Sequence, residues 1–80
     1  MSTSEGLLAG LGQAIRELRT ERNISQERLG LDSGVHRNYI GGIERGERQP
    51  TLTTIAVLAE TLSIRPSELI RRAEAKPGDL

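Results

Sequence analysis

Leu7, Leu8, Leu11, Ile15 and Leu18 recur at spacings of three, four and seven, with Arg16, Glu17, Arg19, Glu21 and Arg22 elsewhere. That is the period of an amphipathic helix burying one stripe, and it predicts a first helix from Gly6 to Arg22. Asn23 suits a left-handed helix end. Ser25 offers a capping oxygen for a second helix, Gln26 to Ser33, with Glu27 in its first turn near the positive end of the dipole. Gly34 stands where the backbone must turn sharply. A third helix, His36 to Arg45, packs through Ile40 and Ile43 and ends at Gly46, followed by a polar loop to Pro50. Thr51 caps a fourth, Leu52 to Leu62, with Leu52, Ile55, Leu58, Ala59 and Leu62 inward. Pro66 opens a fifth, Pro66 to Ala75, through Leu69 and Ile70, before Pro77 and Gly78 stop it. No strand alternation or repeat appears. The expected architecture is all-α: one five-helix domain over residues 6–75, between flexible tails at 1–5 and 76–80.

Length and composition narrow the function. Eighty residues make one small domain and exclude a large enzyme fold. Cysteine is absent and Tyr39 is the single aromatic residue, so neither disulfides nor thiolate metal sites staple the chain and an aliphatic core must hold it. Dimerisation is one common way for so small a domain to add buried area. One histidine and no cysteine leave no Cys/His nucleophile pair and no zinc cluster. Gly10-Leu11-Gly12 lacks the third glycine of a dinucleotide loop. No catalytic residue, metal, cofactor or small-molecule ligand is expected. The absence of an 18-residue apolar run or of a signal sequence points to a soluble, cytoplasmic protein without membrane attachment. Eleven basic residues balance eleven acidic ones, which removes any global pull toward nucleic acid. Ten of the eleven are arginines, however, and arginine forks hydrogen bonds onto guanine edges and phosphates.

Between Gln26 and Ile43, Gly30 is small, Gly34 is the turn, and Leu29, Val35, Ile40 and Ile43 are aliphatic, as two helices crossing near a right angle require. Here Ser25-Gln26-Glu27-Arg28-Leu29, Ser33-Gly34-Val35, Tyr39-Ile40 and Ile43-Glu44-Arg45-Gly46 resemble the helix-turn-helix of the xenobiotic-response-element family, which includes phage lambda repressor and Cro. The likeness runs from about Leu11 to Ile70, with the helix-turn-helix at 26–45. Within that family, Arg37 to Arg45 looks most like the controller proteins of restriction–modification systems. The resemblance implies a sequence-specific regulator of double-stranded DNA, acting as a homodimer on a two-fold symmetric operator. His36, Arg37 and Asn38 would then reach base edges from the start of the third helix, Gln26 would meet a phosphate with its side chain or with the free backbone N–H groups beside it, and Arg48 would serve a phosphate or the minor groove.

Gly41 and Gly42 depart from good helix chemistry, at roughly 1 kcal/mol each against alanine. Gly42 lies on the side that faces DNA in the family, which favours close approach of DNA to its backbone; Gly41 either shares that role or fits against the fourth helix. Glu44 matches a family acid that pairs with a first-helix arginine, here Arg19, a structural role. Tyr39 donates to a phosphate or packs on the second helix. Arg45 contacts DNA or is an ordinary solvated charge. His36 stands where the family often has a capping Ser or Thr, and contacts a base or merely fills a surface turn. Arg65 stands where relatives carry a serine cap, so the fifth helix starts less firmly. A dimer interface is expected through the fifth helix and the end of the fourth, at Leu62, Leu69 and Ile70. The competing reading is an antitoxin-like or adaptor module that offers the fifth helix to another chain.

Overall fold

The computed structural model describes residues 3–76, with five helices and no strand among them: α1 (Thr3–Glu21), α2 (Gln26–Ser33), α3 (Arg37–Glu44), α4 (Leu52–Thr61) and α5 (Pro66–Glu74). Each break is written locally. Asn23 takes a left-handed φ of 56° after α1, and Ser25 Oγ accepts from the Arg28 N–H to start α2. Thr51 Oγ1 accepts from the Thr54 N–H to start α4. Ser63, at φ 59°, turns the chain between α4 and α5. Arg65 precedes α5 without a side-chain cap, and Pro66 in the first turn, with Glu68 behind it, supplies the start instead.

α1 packs on α5 and α3, α2 on α3 and α4, and α4 on α5. All five helices feed one core of Leu11, Ala14, Ile15, Leu18, Leu29, Ile40, Ile43, Leu58, Ala59, Leu62, Leu69 and Ala73. Gly10 and Gly12 let α1 approach two backbones at once: Gly10 lies against the Ala73 carbonyl of α5, and a Cβ on residue 12 would fall 2.6 Å from the Glu44 carbonyl oxygen of α3. The glycine pair that fails as a dinucleotide loop is therefore a packing seat.

Four expectations are corrected. α1 starts at Thr3 rather than Gly6, because its polar first turn, with Glu5 near the positive dipole end, carries no apolar stripe to announce it. Lys76, placed in the C-terminal tail, is tied back by an ion pair with Glu17 and by its N–H to the Ala73 carbonyl; residues 77–80 of that tail, like 1–2 of the other, lie outside the described residues. Leu52 is 78% exposed rather than inward, since the α4 stripe runs past the core edge: Ile55 is half-buried and Leu58 is the first residue fully enclosed. Leu62 and Leu69 are both 0% exposed inside the chain's own core and have no surface to offer a partner; of the three residues expected at a dimer interface only Ile70 keeps any.

Candidate nucleic-acid interface

The α2–α3 corner is fixed by backbone and side chain together. Gly34 closes α2 at φ 80°, a conformation that strains residues with a Cβ, and its N–H reaches the Gly30 carbonyl at 2.9 Å. Ser33 Oγ accepts from the Val35 N–H at 3.2 Å. His36 then adopts extended backbone, and its Nδ1 accepts from the Asn38 N–H at 3.0 Å, so α3 begins at Arg37. His36 thus supplies the cap that Ser or Thr would otherwise give. A ring whose Nδ1 accepts carries its proton on Nε2, the edge left to donate outward.

Behind α3 lies a closed polar network. Arg19 grips Glu44 with both arms of its guanidinium, at 2.7 Å from Nε to Oε2 and 3.1 Å from Nη2 to Oε1, and donates through Nη1 to the Ile24 carbonyl at 2.9 Å. Gln26 Nε2 donates to Glu44 Oε1 at 2.9 Å. The Glu44 side chain is only 4% exposed and that of Arg19 12%. Four polar groups thereby tie the end of α1, the α1–α2 loop, the start of α2 and the end of α3 into one unit. The Gln26 amide nitrogen gives one of its two hydrogens to this network, and the first backbone N–H groups of α2, the other donors expected to meet a phosphate, stand beside it.

The outer face of α3 carries the rest. Arg37 and Asn38 are exposed, and Arg37 Nη1 lies 3.6 Å from Glu27 Oε2, a solvated pair across the corner that the sequence did not announce. Arg45 turns to Glu47, with Nε to Oε1 at 3.0 Å. The Tyr39 hydroxyl, expected to donate to a phosphate if the residue did not pack on the second helix, donates to the Gln49 carbonyl at 3.2 Å and holds the α3–α4 loop, while the ring packs on the core edge beneath the Arg48 guanidinium, 5.6 Å from the ring centroid. Gly41 faces the Gln26 amide and the Arg45 guanidinium instead of α4. Gly42 is buried, and the aliphatic stem of Arg48 lies across it, so the approach of DNA to its backbone is already filled by this chain's own side chain.

Among the described residues no cluster of His, Cys, Asp or Glu is placed to hold a metal ion, and no helix is long and apolar enough to cross a membrane. A helix-turn-helix family profile matches residues 15–69. The chain is similar to control protein C.SmaI of Serratia marcescens, at 42% identity over 66 residues covering 82% of this chain and 79% of that one. Among solved structures it is similar to the restriction–modification controller protein C.AhdI from Aeromonas hydrophila, at 50% identity and a TM-score of 0.75, covering 78% of this chain and 94% of that one. It is also similar to the C.Esp1396I chain of a nucleoprotein complex, at 29% identity and a TM-score of 0.75, covering 88% and 95%.

Proposed function

The chain belongs to the helix-turn-helix family that includes the restriction–modification controller proteins, and from that premise we propose that it is a sequence-specific, homodimeric DNA-binding transcription regulator of the controller type. The observation that carries the reading is the placement of exposed Arg37 and Asn38 in the first turn of a capped helix braced from behind by Arg19, Glu44 and Gln26. α3 enters the major groove by its N-terminus. Arg37 takes guanine O6 and N7 bidentately, and Asn38 pairs with an adenine or bonds a phosphate. The His36 Nε2–H and Arg45 supply further contacts, the first amides of α2 meet a phosphate, and Arg48 adds one from the loop. Glu27 holds Arg37 over the groove until a base edge replaces it.

Burial of Leu69 in the core takes it from both the dimer and the adaptor reading and leaves Ile70 as the α5 residue that either would offer. For the dimer, Ile70 lines a cleft of about 150 Å³ with Leu7, Leu8, Leu11 and Ile55, and exposed Leu52 stands one helical turn from Ile55. A two-fold contact between identical chains in which each Leu52 enters the other's cleft would bury both.

The reading is tested by titrating duplex DNA at several salt concentrations with wild type and Arg37→Ala. With balanced charge and few phosphate contacts per subunit, the log–log salt slope is expected to be shallower than about −5, against about −10 for a strongly basic repressor. Arg37→Ala is expected to lose about 1–3 kcal/mol of discrimination at one base pair per half-site. A uniform loss on all sequences would make Arg37 a phosphate contact only.

A further inference from the structure

We propose that Gly42 is a positioning residue for Arg48: the missing side chain in the middle of α3 is a seat that holds the loop arginine on the face of the helix that carries Asn38. Residues 38 and 42 are one turn apart and share that face. A Cβ on residue 42 would overlap Arg48 Cγ and stand 3.3 Å from its Cβ and 3.6 Å from its Cδ. The stem therefore lies in the space that any other residue at 42 would fill. Four further contacts hold it there. The Glu47 N–H donates to the Gly42 carbonyl at 2.8 Å, the backbone closure of the helix end at Gly46, and the Arg48 N–H shares that oxygen at 3.2 Å, which starts the loop beside this residue. The guanidinium rests 5.6 Å from the centre of the Tyr39 ring. The Tyr39 hydroxyl in turn pins the loop through the Gln49 carbonyl.

A glycine inside a helix weakens it, and buried Gly42 has no turn or positive φ to justify the weakness. Seating Arg48 offsets it by function. An arginine on a loop normally spends conformational entropy when it binds; one laid across a helix and stacked on a ring has spent much of it beforehand. The target of Arg48 rests on the DNA-binding reading above, whereas its seat does not.

The test compares wild type, Gly42→Ala, Arg48→Ala and the double variant on a duplex enriched by the wild-type chain from a randomised pool, with Arg48 side-chain proton shifts recorded by NMR in the absence of DNA. Gly42→Ala is expected to weaken binding on the order of tenfold, Arg48→Ala to do the same, and the double variant to bind no worse than either. The Arg48 protons are expected to be displaced upfield by the Tyr39 ring in wild type and to lose that displacement in Gly42→Ala, while the helix keeps its thermal midpoint because alanine is the better helix former. Arg48→Met keeps the stem and removes the charge. It is expected to leave the Gly42 Hα shifts in place and Arg48→Ala to move them, which tests the seat even if Gly42→Ala does not fold. Full affinity in Gly42→Ala, additive losses in the double variant, or Arg48 and Gly42 shifts indifferent to these changes would overturn the proposal. If the wild-type chain enriches no duplex, the DNA-binding reading fails and takes the target of Arg48 with it, and the shifts alone then decide the seat.

Discussion

A carboxylate as enclosed as that of Glu44 survives only with its partners in place. Glu44→Ala would leave the Arg19 guanidinium, 12% exposed, without its acceptor and the Gln26 amide nitrogen without its own. Breaking such a pair costs about 3 kcal/mol or more, a large share of what a domain of this length holds in total. Thermal unfolding of Glu44→Ala is therefore expected about 12–24 °C below wild type, with loss of DNA binding following loss of the fold. A variant that keeps its midpoint but no longer binds would make Glu44 a recognition residue. At this scale the sequence was only partly legible. The Arg19–Glu44 pairing followed from the resemblance, since two residues 25 positions apart leave no periodic trace. Gly42 was legible as an anomaly, but what fills it comes from a loop residue six positions on, and no local pattern announces that. Gln26 carried the right residue type in the right place, yet its amide turns inward because the buried carboxylate needs a second donor.

Helices α2 and α3 were legible almost to the residue, because their ends are written in single residues: Ser25, Gly34, His36 and Gly46. The exceptions have the same physical cause, a turn outside the apolar stripe. The first turn of α1 has no stripe to read, and Leu52 lies where the α4 stripe has outrun the core. The cap on α3 makes a prediction at this scale. His36→Ala deletes the acceptor for the Asn38 N–H and is expected to cost about 1 kcal/mol, whereas His36→Ser restores an acceptor and should recover most of it. Chemical denaturation of the three proteins decides it. Equal losses for Ala and Ser would mean that the imidazole works through its packing and not as a cap. If DNA affinity stays low in His36→Ser while stability returns, the Nε2 edge is a contact in its own right.

The whole molecule is a small aliphatic core with five contributors, which fully encloses Ile15, Leu18, Leu29, Ile40, Ile43, Leu58, Leu62 and Leu69. Of the residues expected at an interface through α4 and α5, Leu62 and Leu69 lie in this core and Ile70 keeps some surface: amphipathic spacing identifies residues that are buried, and it cannot tell burial within a chain from burial between chains. The exposed leucine and the nearby cleft move the expected contact to the start of α4. Leu52→Glu should accordingly give a monomer of about half the wild-type mass in light scattering, with unfolding shifted little beyond the loss of dimer linkage; a wild-type monomer, or a dimeric Leu52→Glu, would exclude that face. Selection of duplexes from a randomised pool at near-physiological salt decides whether two copies of α3 read one operator. The expected result is a two-fold symmetric motif with half-sites about 34 Å apart, one helical turn of DNA, blurred at one base pair in each half-site when Arg37→Ala is selected in parallel. No enrichment, or an asymmetric motif indifferent to Arg37, would contradict it.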